Sequence, residues 1–328
     1  MGRLSDAALP ESASDRSIPP MRIILNPMAR HGRGGRLRDV IARGLERRGC
    51  AFDIVHTEGP GHAADLAAAA AGQGIARVVA AGGDGTIHEV VNGLMAASAP
   101  GVALGLIPIG TGNDFVKMVP GTATPDLAMD TLARGTAHAV DIGIARWQGG
   151  SEYFANAMGT GIDVEVVRGM RRSRLLPGGF IYVSALLRAL VKYRPLAVRI
   201  EVDGDVVEKS IMNLAVCNGP SIGGSFRICP DALTDDGLLD VCLVEEMPIL
   251  RNARMVPRVI RGTHTGQRGV TMLRGRSIRL TLGQDRPLWF QLDGELREAP
   301  DGRGGIHVTL APERLNVIRA AAGSPQQD

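Results

Sequence analysis

Five residues, Gly82-Gly83-Asp84-Gly85-Thr86, place one carboxylate among three glycines, directly after the apolar run RVVAA and before a helical pattern. Glycines there can take positive φ and let a phosphate chain approach the backbone. The helix start that follows offers unpaired N–H groups and the positive end of its dipole to the same anion. A carboxylate is unfavourable inside an anion-binding loop, so Asp84 implies a cation there, Mg²⁺ or its water shell. A plain strand-to-helix turn uses the same residue types, and one glycine-rich loop is weak evidence.

Two further loops repeat the logic. Pro108-Ile109-Gly110-Thr111-Gly112-Asn113-Asp114-Phe115 offers Thr111 and Asn113 as hydrogen-bond donors to phosphate or ribose, with Gly110 and Gly112 allowing close approach. After the first apolar strand, Asn26-Pro27 leads into Met28-Ala29-Arg30-His31-Gly32-Arg33-Gly34-Gly35. Near the other end, Asp293-Gly294-Glu295 supplies two carboxylates between PLWFQL and the run that Glu295 opens. Asp-Gly between strand-like runs is also a hairpin signature. A turn and a proton-accepting pair are therefore both open there.

The elements that must position these loops can be read from periodicity. From Met21, strand-like MRIILN, AFDIVH, RVVAAG and VALGLIP alternate with helical RLRDVIARGLERRG, GHAADLAAAAAGQ and IHEVVNGLMAAS. Such alternation predicts parallel pairing in a doubly wound sheet, with ligands at the carboxyl ends of the strands. After about Thr136 the texture becomes mostly strand-like (TAHAVDIGIA, LAVRIEVDG, LLDVCLVEE, SIRLTLG, GIHVTLAP), broken by helical stretches near 163 to 194 and 248 to 261. The expected fold class is α/β: an N-terminal doubly wound parallel-sheet nucleotide-binding domain over 21–135 and a C-terminal β-rich sandwich domain over 136–320. The last strand is allowed to return to the first domain. A disordered tail at 1–20 and a short tail at 321–328 flank the two, and the cleft between domains is the expected site.

Composition narrows the classes. Hydrophobic residues are 45% and charged residues 22%, the balance of a folded globular chain. Aromatic residues are only 3% and the net charge is +3, which argues against nucleic acid as a partner. Cys50, Cys217, Cys229 and Cys242 show no C-x-x-C spacing, the seven histidines form no ligand spacing, and no apolar stretch approaches bilayer length. A reduced, cytoplasmic protein is expected. Trp147 and Trp289 read as packing residues.

The segments NPMARHGRGG, GGDGTIHEVVNGL, GLIPIGTGNDFVK and PDALTDDGLLDVCLV, with QLDGE near the end, resemble the diacylglycerol kinase catalytic-domain family. The likeness is nearest to its bacterial soluble lipid kinases, with sphingosine and ceramide kinases further off, and runs from about Met21 to Ala320. GGDGT alone is shared with NAD kinases; GGDGT followed by GTGNDF is far more specific. The resemblance implies an ATP- and Mg²⁺-dependent kinase transferring the γ-phosphate to the hydroxyl of diacylglycerol or a related lipid. It implies that Gly82, Gly83, Asp84, Gly85, Thr86, Ile87 and His88 line the ATP phosphates, with contacts from Thr57 and Thr111. It also implies a second, structural Mg²⁺ site on Leu233, Asp236 and Leu238, and a catalytic base at Asp293 or Glu295. Arg30 stands where the family commonly has glycine, so either the backbone opens there or Arg30 reaches a phosphate.

Membrane approach has a candidate in RGMRRSRLLPGGFIYVSALLRALVKYR, where arginines and Lys192 interleave with apolar residues. A basic, partly apolar helix can lie on anionic lipid, and a core-facing helix with solvated arginines reads the same way. The stretch from Met247 to Gln284, with eight arginines and no acidic residue, adds to the positive surface. The expected partners are a lipid substrate and an anionic membrane surface, with room for a homodimer. An NAD kinase-like enzyme and a catalytically silent nucleotide-binding regulator are the rivals. A dehydrogenase is disfavoured because no G-x-G-x-x-G follows the first strand.

Overall fold

The computed structural model describes residues 20–32, 34–110, 112–172, 188–190, 193–224 and 226–321. Apolar runs bounded by polar loops become the strands of a parallel sheet: β1 (Met21–Leu25), β2 (Phe52–His56), β3 (Arg77–Gly82) and β4 (Ala103–Pro108). All six residues of β4 are buried, because helices cover both faces. Alternate side chains of β1 serve the two faces. Ile23 and Leu25 pack with Ile41 and Leu45 of α2 (Arg38–Glu46) and Leu132 of α5 (Pro125–Arg134). Ile24 packs with the alanines of α3 (His62–Gly72) and with Val90 and Leu94 of α4 (Asp84–Ala96). A short α1 (Ala29–Gly32) follows β1. Small residues let α3 and α4 approach closely: a Cβ on Gly93 would stand 2.2 Å from the Ala64 carbonyl oxygen.

The sheet order is β2-β1-β3-β4-β17-β5. Here β17 (Leu315–Arg319) returns from the end of the chain to lie parallel to β4, and β5 (Thr136–Val140) runs antiparallel beside it. The sequence reading closed the first domain at 135; β5 instead belongs to its sheet, because the register Leu315↔Val140 through Arg319↔Thr136 leaves β17 no other outer neighbour.

The second domain is an antiparallel sandwich of β6 (Gly143–Trp147), β7 (Gly150–Phe154), β8 (Ala157–Gly161), β9 (Leu196–Val202), β10 (Asp205–Cys217), β11 (Leu239–Glu245), β12 (Val270–Gly275), β13 (Ser277–Leu282), β14 (Leu288–Leu292), β15 (Glu295–Ala299) and β16 (Ile306–Leu310). The thirteen-residue β10 joins the layers. Its first half pairs with β9; beyond a register break between Ile211 and Asn213 it pairs with β8 and β11. Strands that change layers at a bulge make the corners of such sandwiches. Period-two alternation then sorts side chains: Leu214 and Val216 enter the core between the layers, while Ala215 and Cys217 face an outer cluster under α6 (Ile162–Arg172) and α7 (Ile249–Arg261).

Among the described residues no helix is long and apolar enough to cross a membrane. Arg174, Leu175, Leu176, Phe180, Ile181, Tyr182, Leu186 and Lys192 of the basic apolar stretch lie outside the described residues, as do the tails 1–19 and 322–328.

Candidate active site

The loops after β3 and β4 touch through glycine. A Cβ on Gly110 would sit 2.5 Å from the Gly83 Cα, and one on Gly82 would sit 2.4 Å from Thr86 Oγ1, so any side chain would push the loops apart. Ile109 and Gly110 N–H both donate to the Gly82 carbonyl. Asp84 fastens the second loop to the first: its two carboxylate oxygens accept the N–H groups of Asn113, at 2.7 Å, and Asp114, at 2.6 Å. Asn113 takes the left-handed φ of 53° that this requires. Its amide donates to the Gly110 carbonyl, while its buried Oδ1 has no partner among the described residues.

Asp84 and Asp114 are neighbouring half-buried carboxylates. Burial raises the pKa of Asp84 against the opposing N–H groups of Asp114 and Asn113. Burial and the Asp84 charge push Asp114 up to about 6. A divalent cation between such groups would relieve the repulsion that raises them. The donor set therefore fits Mg²⁺, with phosphate and water completing the shell.

The Asp-Gly pair forms the hairpin its spacing predicts, with φ of 48° at Asp293 and 90° at Gly294 between β14 and β15. The same turn carries chemistry into the interdomain cleft. Asp293 accepts N–H bonds from Ala155, Asn156 and Ala157 at 2.8 to 3.0 Å and meets His88 Nδ1 at 3.2 Å. Its acceptor positions are thus filled by the connection between β7 and β8 and by α4. Glu295 lies against the glycine loop, its Oε1 3.4 Å from where a Cβ on Gly85 would be.

His88 joins the domains. Its ring is 2% exposed, with Nδ1 toward Asp293 and Nε2 2.7 Å from Glu152 Oε1. Two carboxylates facing both ring nitrogens require both to donate, which only the imidazolium can do. Burial alone would lower its pKa, but the hydrogen bonds and charges of Asp293 and Glu152 outweigh it and raise it to about 9. Glu152 is held down to about 2, against burial, by His88 and by a bidentate pair with Arg297 of β15. The side chains of His88 and Ile87 are packed, at 2% exposure each.

The other expected residues are dispersed around this centre. Asn26 donates to Thr86 Oγ1 and receives the Met28 N–H, tying the first loop to the second. Arg30 takes φ of 53°, the conformation that explains a family preference for glycine, and is exposed. Thr57 is buried at the end of β2. Thr111 lies outside the described residues. Leu233, Asp236 and Leu238 sit on a separate turn before β11, where Asp236 accepts the Leu238 N–H and lies 3.7 Å from Arg274. Asp141 anchors that turn through the Gly237 N–H. One carboxylate plus carbonyls is a hard-oxygen set; among the described residues no group of three or more His, Cys, Asp or Glu side chains is poised for a metal.

Sequence reasoning missed a second feature. A partly open cavity in the second domain is lined by apolar side chains including Val166, Phe226, Met255 and Val259, with Asp163 at its wall. Burial pushes Asp163 up to about 6 despite the Gln291 amide, which donates to it at 2.8 Å. The Gln291 carbonyl accepts the Gly294 N–H, so one side chain links the polar edge of the cavity to the Asp293–Glu295 turn. Only the dipeptide Ile162-Asp163 at a helix start hinted at Asp163; Gln291 stands in the QLDGE segment without a role of its own, and nothing flagged Glu152 or Arg297.

Comparison with known proteins bears on the family and the fold. A family model described as "Diacylglycerol kinase catalytic domain" matches residues 20–145, and one described as "YegS C-terminal NAD kinase beta sandwich-like domain" matches 156–319. The chain is 32% identical over 305 residues to a "Probable lipid kinase YegS-like" of Xanthomonas euvesicatoria pv. vesicatoria, covering 90% of this chain and 94% of that protein. It is 30% identical over 305 residues to a "Diacylglycerol kinase" of Bacillus subtilis, covering 90% and 98%. A crystal structure described as a diacylglycerol kinase from Bacillus anthracis str. Sterne shares the fold, with a TM-score of 0.71 at 20% identity over 95% of this chain and 100% of that one.

Proposed function

This chain belongs to the diacylglycerol kinase catalytic-domain family, and from that premise we propose that it transfers the γ-phosphate of ATP, with Mg²⁺, to the hydroxyl of diacylglycerol or a related lipid. The observation that carries the reading is the meeting of Glu295 with Gly85: a carboxylate of one domain against the glycine loop of the other. A phosphate chain needs the loop and a hydroxyl needs the carboxylate, and the cleft brings both within reach.

Phosphoryl transfer asks mainly for positioning and charge stabilisation. Backbone N–H groups at the Gly83–Thr86 turn would meet the phosphates, and the start of α4 adds its dipole. Asp84 and Asp114 would hold Mg²⁺, which neutralises charge on the phosphate oxygens. The Leu233, Asp236 and Leu238 oxygens would hold a second, structural cation. The apolar cavity takes the hydrocarbon of the lipid and presents its polar end past Asp163 and Gln291 toward the turn. Glu295 accepts the hydroxyl proton as the new O–P bond forms and the bond to the β-phosphate oxygen breaks, releasing ADP. Asp293, saturated by its four donors, positions the turn.

A soluble-nucleotide acceptor would have no use for an apolar cavity beside the acceptor site. Incubation with γ-labelled ATP, Mg²⁺ and a panel of diacylglycerol, ceramide, sphingoid base and phosphatidylglycerol, separated by thin-layer chromatography, should move label into one lipid. Label appearing in NAD and in no lipid would overturn the reading.

A further inference from the structure

We propose that Lys117 is a positioning residue that couples nucleotide at the glycine loops to lipid in the apolar cavity, an inference that rests on the lipid-kinase reading. The segment from Asn218 to Gly224, after β10, meets three parts of the proposed site. Ile222 lines the cavity with Phe226, and their backbones exchange hydrogen bonds at 2.8 and 3.0 Å. The Ser221 carbonyl accepts from the Asn156 side chain at 2.8 Å, and the Asn156 N–H donates to Asp293 at 3.0 Å, which ties the segment to the carboxylate turn. Gly223 and Gly224 take φ of 60° and 83°, a turn that glycine makes without strain. There the Gly224 N–H donates to Asp114 at 2.6 Å, and the Lys117 ammonium donates to the Gly224 carbonyl.

Two residues of the first domain thus hold both backbone groups of one residue of the second. Asp114 is itself fastened, its own N–H bound by Asp84. A continuous line of contacts therefore joins Ile222 at the cavity to Asp84 at the glycine loop. The ion pair of Lys117 with Asp114, three residues apart at 3.6 Å, would by itself be a weak surface feature. What sets Lys117 apart is its second acceptor, 107 residues away in the other domain. The backbone beneath it is fixed. Phe115 and Val116 are buried in the first domain's core, and Gly219 leaves room for the Met118 sulfur, which a Cβ there would overlap. A displacement of the turn by lipid is for that reason passed to Asp114, and a load on Asp114 is passed back to the cavity wall. Coupling through a shared contact is reciprocal, so each ligand must favour the other by the same factor.

The test is ligand binding without turnover. Dissociation constants are measured for dioctanoylglycerol in detergent micelles and for the β,γ-imido analogue of ATP with Mg²⁺, each with and without the other. In the wild-type protein each ligand should tighten the other by about fivefold or more, the lower end of ordinary coupling between sites. Lys117→Met should abolish that factor while each ligand alone binds as it does to the wild type. Lys117→Arg, which keeps a cationic donor, should restore it. Independent binding in the wild type would overturn the proposal, as would coupling that survives in Lys117→Met. A methionine variant that weakens each ligand taken alone by the same factor would overturn it too, because that is the mark of a general loss of structure. Coupled binding without phosphorylation of any lipid would leave the role of Lys117 intact and overturn the kinase reading, and phosphorylation with uncoupled binding would do the reverse.

Discussion

Replacing His88 with asparagine should remove a pH-dependent part of the protein's stability. The imidazolium has a folded pKa of about 9 against an ordinary 6.5. Because that pKa is raised, its contribution is present in full below about pH 6.5 and disappears as pH climbs through 9. A difference of about 2.5 units at 1.36 kcal/mol each is worth about 3 kcal/mol, and the ring's 2% exposure leaves little solvent to screen it. The depressed pKa of Glu152 reports the same contact from the other side and is not added to this sum. The variant's loss at neutral pH should be at the low end of the ~3–5 kcal/mol for breaking a buried pair, since Asp293 keeps three backbone N–H donors and Glu152 keeps Arg297. Urea denaturation of both proteins at intervals from pH 6 to 10 measures it. The difference between them should shrink from about 3 kcal/mol toward zero across pH 7 to 10. Parallel curves would refute the argument, because they would mean that His88 carries no proton the folded state holds more tightly than the unfolded one.

Asp84→Ala should lower phosphate transfer at least about a hundredfold, the scale of losing one transition-state charge contact, and should cost stability through the orphaned Asn113 and Asp114 N–H groups; labelled-ATP transfer and thermal midpoints report both, and normal turnover would remove the metal role. Glu295→Gln should cut the rate by about 10²- to 10⁴-fold, the contribution of a general base. Asp293→Asn should lower the melting temperature, because an amide nitrogen would then face backbone N–H groups, and full activity of the Glu295 variant would move the base elsewhere.

The parallel sheet was legible because both of its faces are covered, which makes each strand a continuous apolar run such as VALGLIP. The glycines at 82, 83 and 110 were legible because close backbone contact admits no other residue. Two conformations hid behind local rules that were both true at once: Asp293-Gly294 is a hairpin turn and also the place where carboxylates enter the cleft. The reach of β5 and β17 across the boundary was harder, since strand partners far apart in the chain leave no local periodicity. Glu152 and Arg297 were invisible for a similar reason. A surface-looking acid and base on β7 and β15 become a half-buried pair beside His88 of α4 only in the folded chain.

The insertion of β17 between β4 and β5 means that the polypeptide passes between the two domains twice, once near Ile142 and once near Ala311. These crossings are themselves hydrogen-bonded, the Ala311 N–H to the Ile142 carbonyl at 2.7 Å. A single covalent tether would let the lobes swivel freely, whereas two laced side by side permit bending about one axis and resist torsion. Any opening of the cleft is thereby constrained toward a jaw-like movement about these paired crossings.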